Sequence, residues 1–159
     1  MKTIKAQKLT KENFSKYGSF ENLYQPETMG VGIGSPSAFY PDVMPLDLGT
    51  AHNASVCVCH VRKREMVIDN YEYHNNGCEG VLPLDADIVI FGGVCFQAML
   101  QAKLGAFVVP KGTVVRFKPG VLHGTQFPID QEQAAVVVML PERTFATDFH
   151  VERLTDEEK

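Results

Sequence analysis

The chain has 159 residues, enough for one domain with a buried core. Its apolar content of 45% and charged content of 21% are typical of globular proteins. The formal net charge of −4 argues against a general affinity for nucleic acid or anionic membranes, because both require a basic surface.

Nothing in the sequence approaches the roughly 18 consecutive apolar residues of a membrane span. The first residues lack the apolar segment of a signal peptide, so we expect a cytoplasmic protein. Cys57 and Cys59 alternate within one apolar run and should lie on the same face of a strand. We expect all four cysteines to be reduced.

The first 50 residues predict little regular structure. Residues 1–8 can form an edge strand, and a short helix follows with Thr10 as its N-cap and Gly18 as its C-terminal stop. Residues 19–50 are interrupted by glycine and proline, which indicates a loop with one or two short strands.

From residue 54 onward, short β-branched or alternating runs are separated by turn residues. Spacings of about 8 to 12 residues between turns predict an antiparallel sandwich or barrel in one domain, 1–159. Residues 94–103 fit a strand or a helix. The predicted strands are 54–61, 64–69, 71–74, 79–83, 87–91, 105–109, 113–118, 121–126 and 134–140, with an edge strand at 149–154.

One predicted hairpin turns at Asn76-Gly77, since a type I′ turn needs positive φ at both central residues. That turn would place His74 opposite Glu79, and strand alternation puts Glu72 on the face of His74. Two carboxylates and an imidazole would then converge. The alternative is a solvated hairpin edge that carries a surface ion pair.

A second predicted hairpin turns at Pro119-Gly120, a type II pair. It would set Arg116 opposite His123, with Lys118 on the same face. Two hairpins that each gather polar groups on one face predict a shared pocket. The alternatives are a packed His123 and cations that simply face water.

The two hairpins carry a family resemblance. Glu72-x-His74-x-x-x-x-Glu79 resembles the first cupin motif with its first histidine replaced by glutamate, and residues 119–123 resemble the second. The whole chain resembles the ureidoglycolate lyase family more narrowly. The segments that carry this likeness are 9–18, 72–83, 106–107 and 116–124.

The chain departs from that family at several positions. Where the family has an arginine after the first glutamate, this chain has Tyr73, and Glu79 replaces a glutamine. Leu122 replaces a tryptophan, and Gly124 replaces the second of two terminal histidines. The resemblance implies an all-β fold, the cupin double-stranded β-helix or jelly-roll barrel with one short N-terminal helix, in a homodimer.

The resemblance also implies a site. Glu72, His74 and His123 would ligate a divalent metal, with Glu79 as a fourth ligand or general base, and these four are the predicted catalytic residues. Two imidazoles and two carboxylates suit Ni, Mn, Fe or Zn. The predicted substrate-binding residues are Arg116, Lys118 and Tyr73.

The implied activity is cleavage of ureidoglycolate, or a related small hydroxy acid, to glyoxylate and urea. The changed family positions leave two alternatives open. One is a different metal-dependent cupin, an isomerase or oxygenase that acts on a small sugar or keto acid. The other is a non-catalytic cupin that binds a small anionic ligand. His52, His60 and His150 have no predicted partners and are expected to be structural or exposed.

Overall fold

The computed structural model describes residues 3–32, 34, 36–94 and 104–155. Most of the undecided segment 94–103 therefore lies outside the described residues. The elements are β1 (Ala6–Lys8), α1 (Lys11–Phe14), β2 (Gly18–Asn22), β3 (Ala54–Arg62), β4 (Asn70–Tyr73), β5 (Glu79–Pro83), β6 (Ile88–Gly92), β7 (Gly105–Val109), β8 (Thr113–Phe117), β9 (Phe127–Pro128), β10 (Gln133–Pro141), α2 (Thr144–Thr147) and β11 (His150–Arg153).

Two sheets account for most of the fold, which confirms the all-β prediction. The first has the order β1-β7-β6-β9 and the second the order β2-β8-β5-β10-β3. Neighbours are antiparallel except β1, which lies parallel to β7. One buried cluster draws side chains from both sheets, Ile90 and Phe107 from the first and Val115 and Val136 from the second. The main core therefore lies between the sheets.

The N-terminal helix begins where the sequence predicts. Thr10 caps α1 and forms a capping box with Asn13, and Phe14 is fully buried in the core. The helix is shorter than predicted, because Gly18 begins β2 instead of ending α1. The strand β2 agrees with the one or two short strands expected in residues 19–50, whereas α2 was not predicted.

Two predicted strands, 64–69 and 121–126, are not strands in the structure. In the first, Val67 N–H donates to the Glu65 carbonyl at 2.9 Å, a tight turn within the segment. In the second, the Arg64 guanidinium occupies the carbonyls of Thr125 (2.9 Å) and Gln126 (2.8 Å). Leu122 and His123 form only isolated bridges, to Gly93 and Glu72. Among the described residues, no helix has the length and apolar character needed to cross a membrane.

A third, two-stranded sheet positions the functional residues. It pairs β4 with β11 antiparallel, with Glu72 opposite Val151. The other edge of β4 bonds to the segment that follows the Pro119-Gly120 turn: Glu72 and His123 exchange backbone hydrogen bonds of 2.7 and 2.9 Å. An antiparallel pair of this kind directs both side chains to one face.

Candidate metal centre

Three polar side chains meet inside the molecule. Nε2 of His74 lies 3.1 Å from Oε2 of Glu79, and Nε2 of His123 lies 3.3 Å from the same oxygen. The side chains are only 2%, 5% and 2% exposed, in the order His74, Glu79, His123. The structure thus brings together three of the four predicted ligands, and they form a group that can hold a metal ion.

The first predicted hairpin is wrong, although its two ligands do meet. Strand β4 pairs with β11, whereas β5 pairs with β8 and β10, so the chain between His74 and Glu79 crosses from one sheet to another. Gly77 is absent from the glycines with positive φ among the described residues. Glycine is needed there for a different reason: Pro141 and the carbonyl of Asp47 pack so close to the backbone that a Cβ would contact both.

The second turn forms as predicted, but the strand pairing does not. Gly120 has φ of 75°, and Val121 N–H donates to the Lys118 carbonyl at 3.2 Å, as a type II turn requires. Arg116, however, lies on β8 between β2 and β5, paired with Ser19 and Gly80. The expectation that Arg116 faces His123 is therefore wrong.

The side chains of the three predicted substrate-binding residues have contacts with groups other than the two imidazoles of the centre. Phe117 pairs with Glu79 and shares its face, so the neighbouring Arg116 points to the other face, where it donates to the Pro45 carbonyl at 2.8 Å. Lys118 is exposed and donates to the Ser15 carbonyl at 2.6 Å. Tyr73 alternates with Glu72 and stacks on His150, with ring centroids 4.9 Å apart.

Backbone carbonyls fix the tautomer of each imidazole. Nδ1 of His74 lies 2.8 Å from the Asp148 carbonyl, and Nδ1 of His123 lies 2.8 Å from the Val121 carbonyl. A carbonyl can only accept, so each Nδ1 carries a proton and donates it. A neutral imidazole then has its lone pair on Nε2, the atom directed at Glu79. Such an arrangement is typical of metal-binding histidines.

The donor set fits a divalent metal. Ligand atoms at about 2.1 Å from one ion are separated by roughly 3.0 to 3.4 Å in octahedral or tetrahedral geometry. The two Nε2–Oε2 separations of 3.1 and 3.3 Å lie within that range. Without an ion, two lone pairs would face a carboxylate unless both imidazoles were protonated.

The shifts in the pKa values of the three groups favour protonated imidazoles beside an ionised carboxylate. Burial lowers the pKa of each histidine, but the hydrogen bonds and charge of Glu79 and the backbone carbonyls outweigh burial, and both pKa values are raised. Burial raises the pKa of Glu79, but His123 and His74 outweigh it and lower the pKa to about 2. Glu79 is therefore an anion between two groups that bind either protons or a metal.

Glu72, the fourth predicted ligand, stands apart from the other three. It is half-buried and shares a face with His123 through their backbone pairing, but its carboxylate is not part of the compact ligand group. Burial raises its pKa, and Glu79 adds to this against the opposing effect of His123 and His74.

Sequence reasoning missed the residues that hold the imidazoles. Phe117 stacks on His123 with ring centroids 4.7 Å apart and 12° between planes, and Phe149 stacks on His74 at 6.1 Å. Asp148 supplies the carbonyl for His74 from a position 74 residues along the chain. No spacing in the sequence signals the contacts of Asp148 and Phe149, since they depend on how the C-terminal segment packs.

The cysteines behave as packed thiols. Cys57 and Cys59 share the inner face of β3, while Val56 and Val58 alternate outward. Burial raises the pKa of the Cys59 thiol, and the charges of Glu72 and Glu79 raise it further. Cys57, Cys59 and the buried Cys78 are free thiols; Cys95 lies outside the described residues.

Two sheets packed around one core, with a buried His–Glu–His group at one end of β5, define a cupin with a candidate metal centre. The sequence match is more specific. Residues 1–158 match the ureidoglycolate lyase family, and the chain belongs to that family. No curated protein matches the chain.

One solved structure supports the fold, and a second aligns less closely. A dTDP sugar isomerase from Desulfovibrio desulfuricans G20 aligns with a TM-score of 0.53 at 14% identity, over 88% of this chain and 85% of that one. A 3,4-ketoisomerase from Thermoanaerobacterium thermosaccharolyticum gives a TM-score of 0.47 at 14% identity, over 83% and 85%. At such identities the first likeness shows the cupin fold alone.

Proposed function

We propose that the protein is a metal-dependent lyase that cleaves ureidoglycolate, or a related small hydroxy acid, to glyoxylate and urea. The observation that carries this proposal is the buried His74–Glu79–His123 group in a chain that matches the ureidoglycolate lyase family over residues 1–158. The substrate is a small anion, and the cytoplasm remains the expected location.

His74, Glu79 and His123 would hold the metal through two Nε2 atoms and one carboxylate oxygen. A bound divalent ion would bind substrate oxygens and stabilise negative charge on them. Ni, Mn, Fe and Zn all accept two imidazoles and a carboxylate. Arg116 and Lys118 are not part of this proposal, because their side chains bond to backbone carbonyls elsewhere.

Glu72 is the proposed general base. Its carboxylate takes the proton from the substrate hydroxyl, the oxygen forms the carbonyl of glyoxylate, and the bond from that carbon to the urea nitrogen breaks with its electron pair on nitrogen. The protonated Glu72 then returns the proton to that nitrogen, which releases neutral urea. One carboxylate therefore serves as base and acid in turn, and its protonation state is restored.

The metal centre is tested by metal analysis of the purified protein. We expect about one equivalent of a divalent ion per chain, and His74→Ala should weaken Zn²⁺ binding by more than about 100-fold, since even the partners of ligands contribute 10- to 100-fold. His60→Ala is the control, because His60 is exposed on β3. Equal Zn²⁺ affinity in the His74→Ala and wild-type proteins would contradict the assigned ligand.

The reaction is tested by release of glyoxylate and urea from ureidoglycolate with metal-loaded protein. Glu72→Gln should lower kcat by about 10²- to 10⁴-fold, the usual contribution of a general base, and leave metal content unchanged. Wild-type protein that binds metal but releases neither product at high concentration would reject the proposed reaction. A Glu72→Gln protein as active as wild type would reject only the role of Glu72.

A further inference from the structure

Asp148 binds the imidazole ring of the ligand His74 through its backbone, and the main chain just after His74 through its side chain. Its backbone carbonyl accepts the proton of His74 Nδ1 at 2.8 Å. Its carboxylate accepts the backbone N–H groups of Asn75 at 3.0 Å and Asn76 at 2.7 Å. Asp148 is only 7% exposed, whereas Asn75 and Asn76 are exposed.

The residues bound by this carboxylate lie in the short segment that joins two ligands. Residues 75–78 connect His74 to Glu79, and the segment makes no β-hairpin that would fix its shape. At its other end, Cys78 N–H donates to the Asp47 carbonyl at 2.9 Å. The start of the segment is fixed by the Asp148 carboxylate.

These contacts have a geometric consequence for His74. The carboxylate fixes the backbone just after the histidine, and the carbonyl of the same residue fixes the imidazole ring. The imidazole ring of His74 and the backbone that follows it are thus both held by Asp148. Loss of either carboxylate bond would let the segment shift relative to the carbonyl, and Nε2 would move with respect to Glu79.

We propose that Asp148 is a positioning residue that sets the metal affinity of the centre by holding His74 and the 75–76 backbone in register. This inference rests on the proposed function, since it requires that His74 binds metal. Asp148 itself contacts neither the metal ligands' Nε2 atoms nor the carboxylate of Glu79. Its effect is transmitted through the imidazole that it orients.

The test is the Zn²⁺ affinity of Asp148→Asn, measured by competition with a chromophoric chelator. Asparagine retains one acceptor oxygen but presents an NH₂ group to the second backbone N–H, so one of the two bonds is lost. We expect affinity to fall 10- to 100-fold, the usual effect of removing a group that orients a ligand. The visible spectrum of the Co²⁺ form should also change, because it reports ligand geometry.

Asp85→Asn is the matched control. Asp85 likewise accepts a backbone N–H, that of Ala135 at 2.8 Å, but it is exposed and orients no imidazole. Both variants are expected to lose some stability in chelator, whereas only Asp148→Asn should lose Zn²⁺ affinity and alter the Co²⁺ spectrum. If Asp148→Asn does not fold, Asp148→Glu replaces it, since its longer side chain cannot hold both amides from the same backbone position.

The outcomes separate the two proposals. A wild-type protein that binds no Zn²⁺ overturns both the metal centre and the role of Asp148. A wild-type protein that binds Zn²⁺, together with an Asp148 variant of equal affinity and unchanged Co²⁺ spectrum, overturns only the role of Asp148.

Discussion

Glu79 is the residue on which the centre depends, because its buried oxygen lies within 3.3 Å of both Nε2 atoms. A buried anion is costly unless it is paired and hydrogen-bonded. Two partners are available to it: protons on the imidazoles, or a metal that binds all three groups. Protons and metal therefore compete for the same positions, which gives the centre a definite response to pH.

In metal-free protein, we expect the free energy of unfolding to fall as pH rises from 6.5 to 8. The pKa values of His74 and His123 are raised in the folded state, above the 6.5 of an unfolded histidine. The stability from such groups is complete below the unfolded pKa and is lost as pH rises through the folded pKa. Zn²⁺ affinity should rise over the same window as protons are lost.

Urea unfolding in the presence of chelator measures this response. His123→Gln is the control, because it removes one of the two titrating groups and should flatten the curve. The window ends at pH 8 to stay below the titration of unfolded thiols near 8.5. A wild-type protein whose stability does not change between pH 6.5 and 8 would contradict protonated imidazoles in the metal-free state.

At the scale of elements, a glycine can be required because a side chain would clash or because the backbone has positive φ. Gly77, in the segment 75–78 that crosses between two sheets, is the first case. A Cβ on Gly77 would contact Pro141 and approach the Asp47 carbonyl to 3.2 Å, and its φ is not positive. Gly77→Ala should therefore cost about 1 to 3 kcal/mol by overpacking, and Gly77→Asn should cost more, because asparagine is larger. Urea unfolding measures both.

Gly120 provides the opposite case. Its φ is 75° and a Cβ on this residue would meet no atom within 4 Å, so backbone conformation alone should decide. Asparagine tolerates positive φ better than alanine, so Gly120→Asn should be the more stable of the two variants there. Should Gly77→Asn instead prove more stable than Gly77→Ala, the turn role predicted from the sequence would regain support.

The two predicted hairpins show which features could be predicted from the sequence and which could not. Pro119-Gly120 correctly predicted a turn, because a type II turn depends on local backbone geometry. The partner of each strand could not be predicted, since pairing depends on which surfaces the whole chain buries. Asn76-Gly77 looked like a hairpin, yet β4 and β5 belong to different sheets.

At the scale of the whole molecule, β3 is an unusual edge strand. It ends the five-stranded sheet, with β10 as its neighbour among the described residues. Val56 and Val58 on its outer face are 72% and 60% exposed. Edge strands leave backbone groups unpaired and normally carry charges that discourage association. An apolar outer face at this edge favours contact with a second copy.

We therefore expect the homodimer implied by the family resemblance to form through β3. Light scattering after size exclusion should give twice the chain mass of 17.6 kDa. Val56→Lys combined with Val58→Lys should weaken the dimer by more than about tenfold, since burial of one valine contributes about 1.5 to 3 kcal/mol and 1.4 kcal/mol is tenfold.

Val151→Lys is the control, because Val151 is an exposed valine on β11, in a different sheet. A dimer that the double substitution leaves intact must use another surface, whereas a monomeric wild type would remove the dimer itself. Either result leaves the metal centre unaffected, since its ligands come from the residue after β4, from β5 and from the segment after Gly120 of one chain.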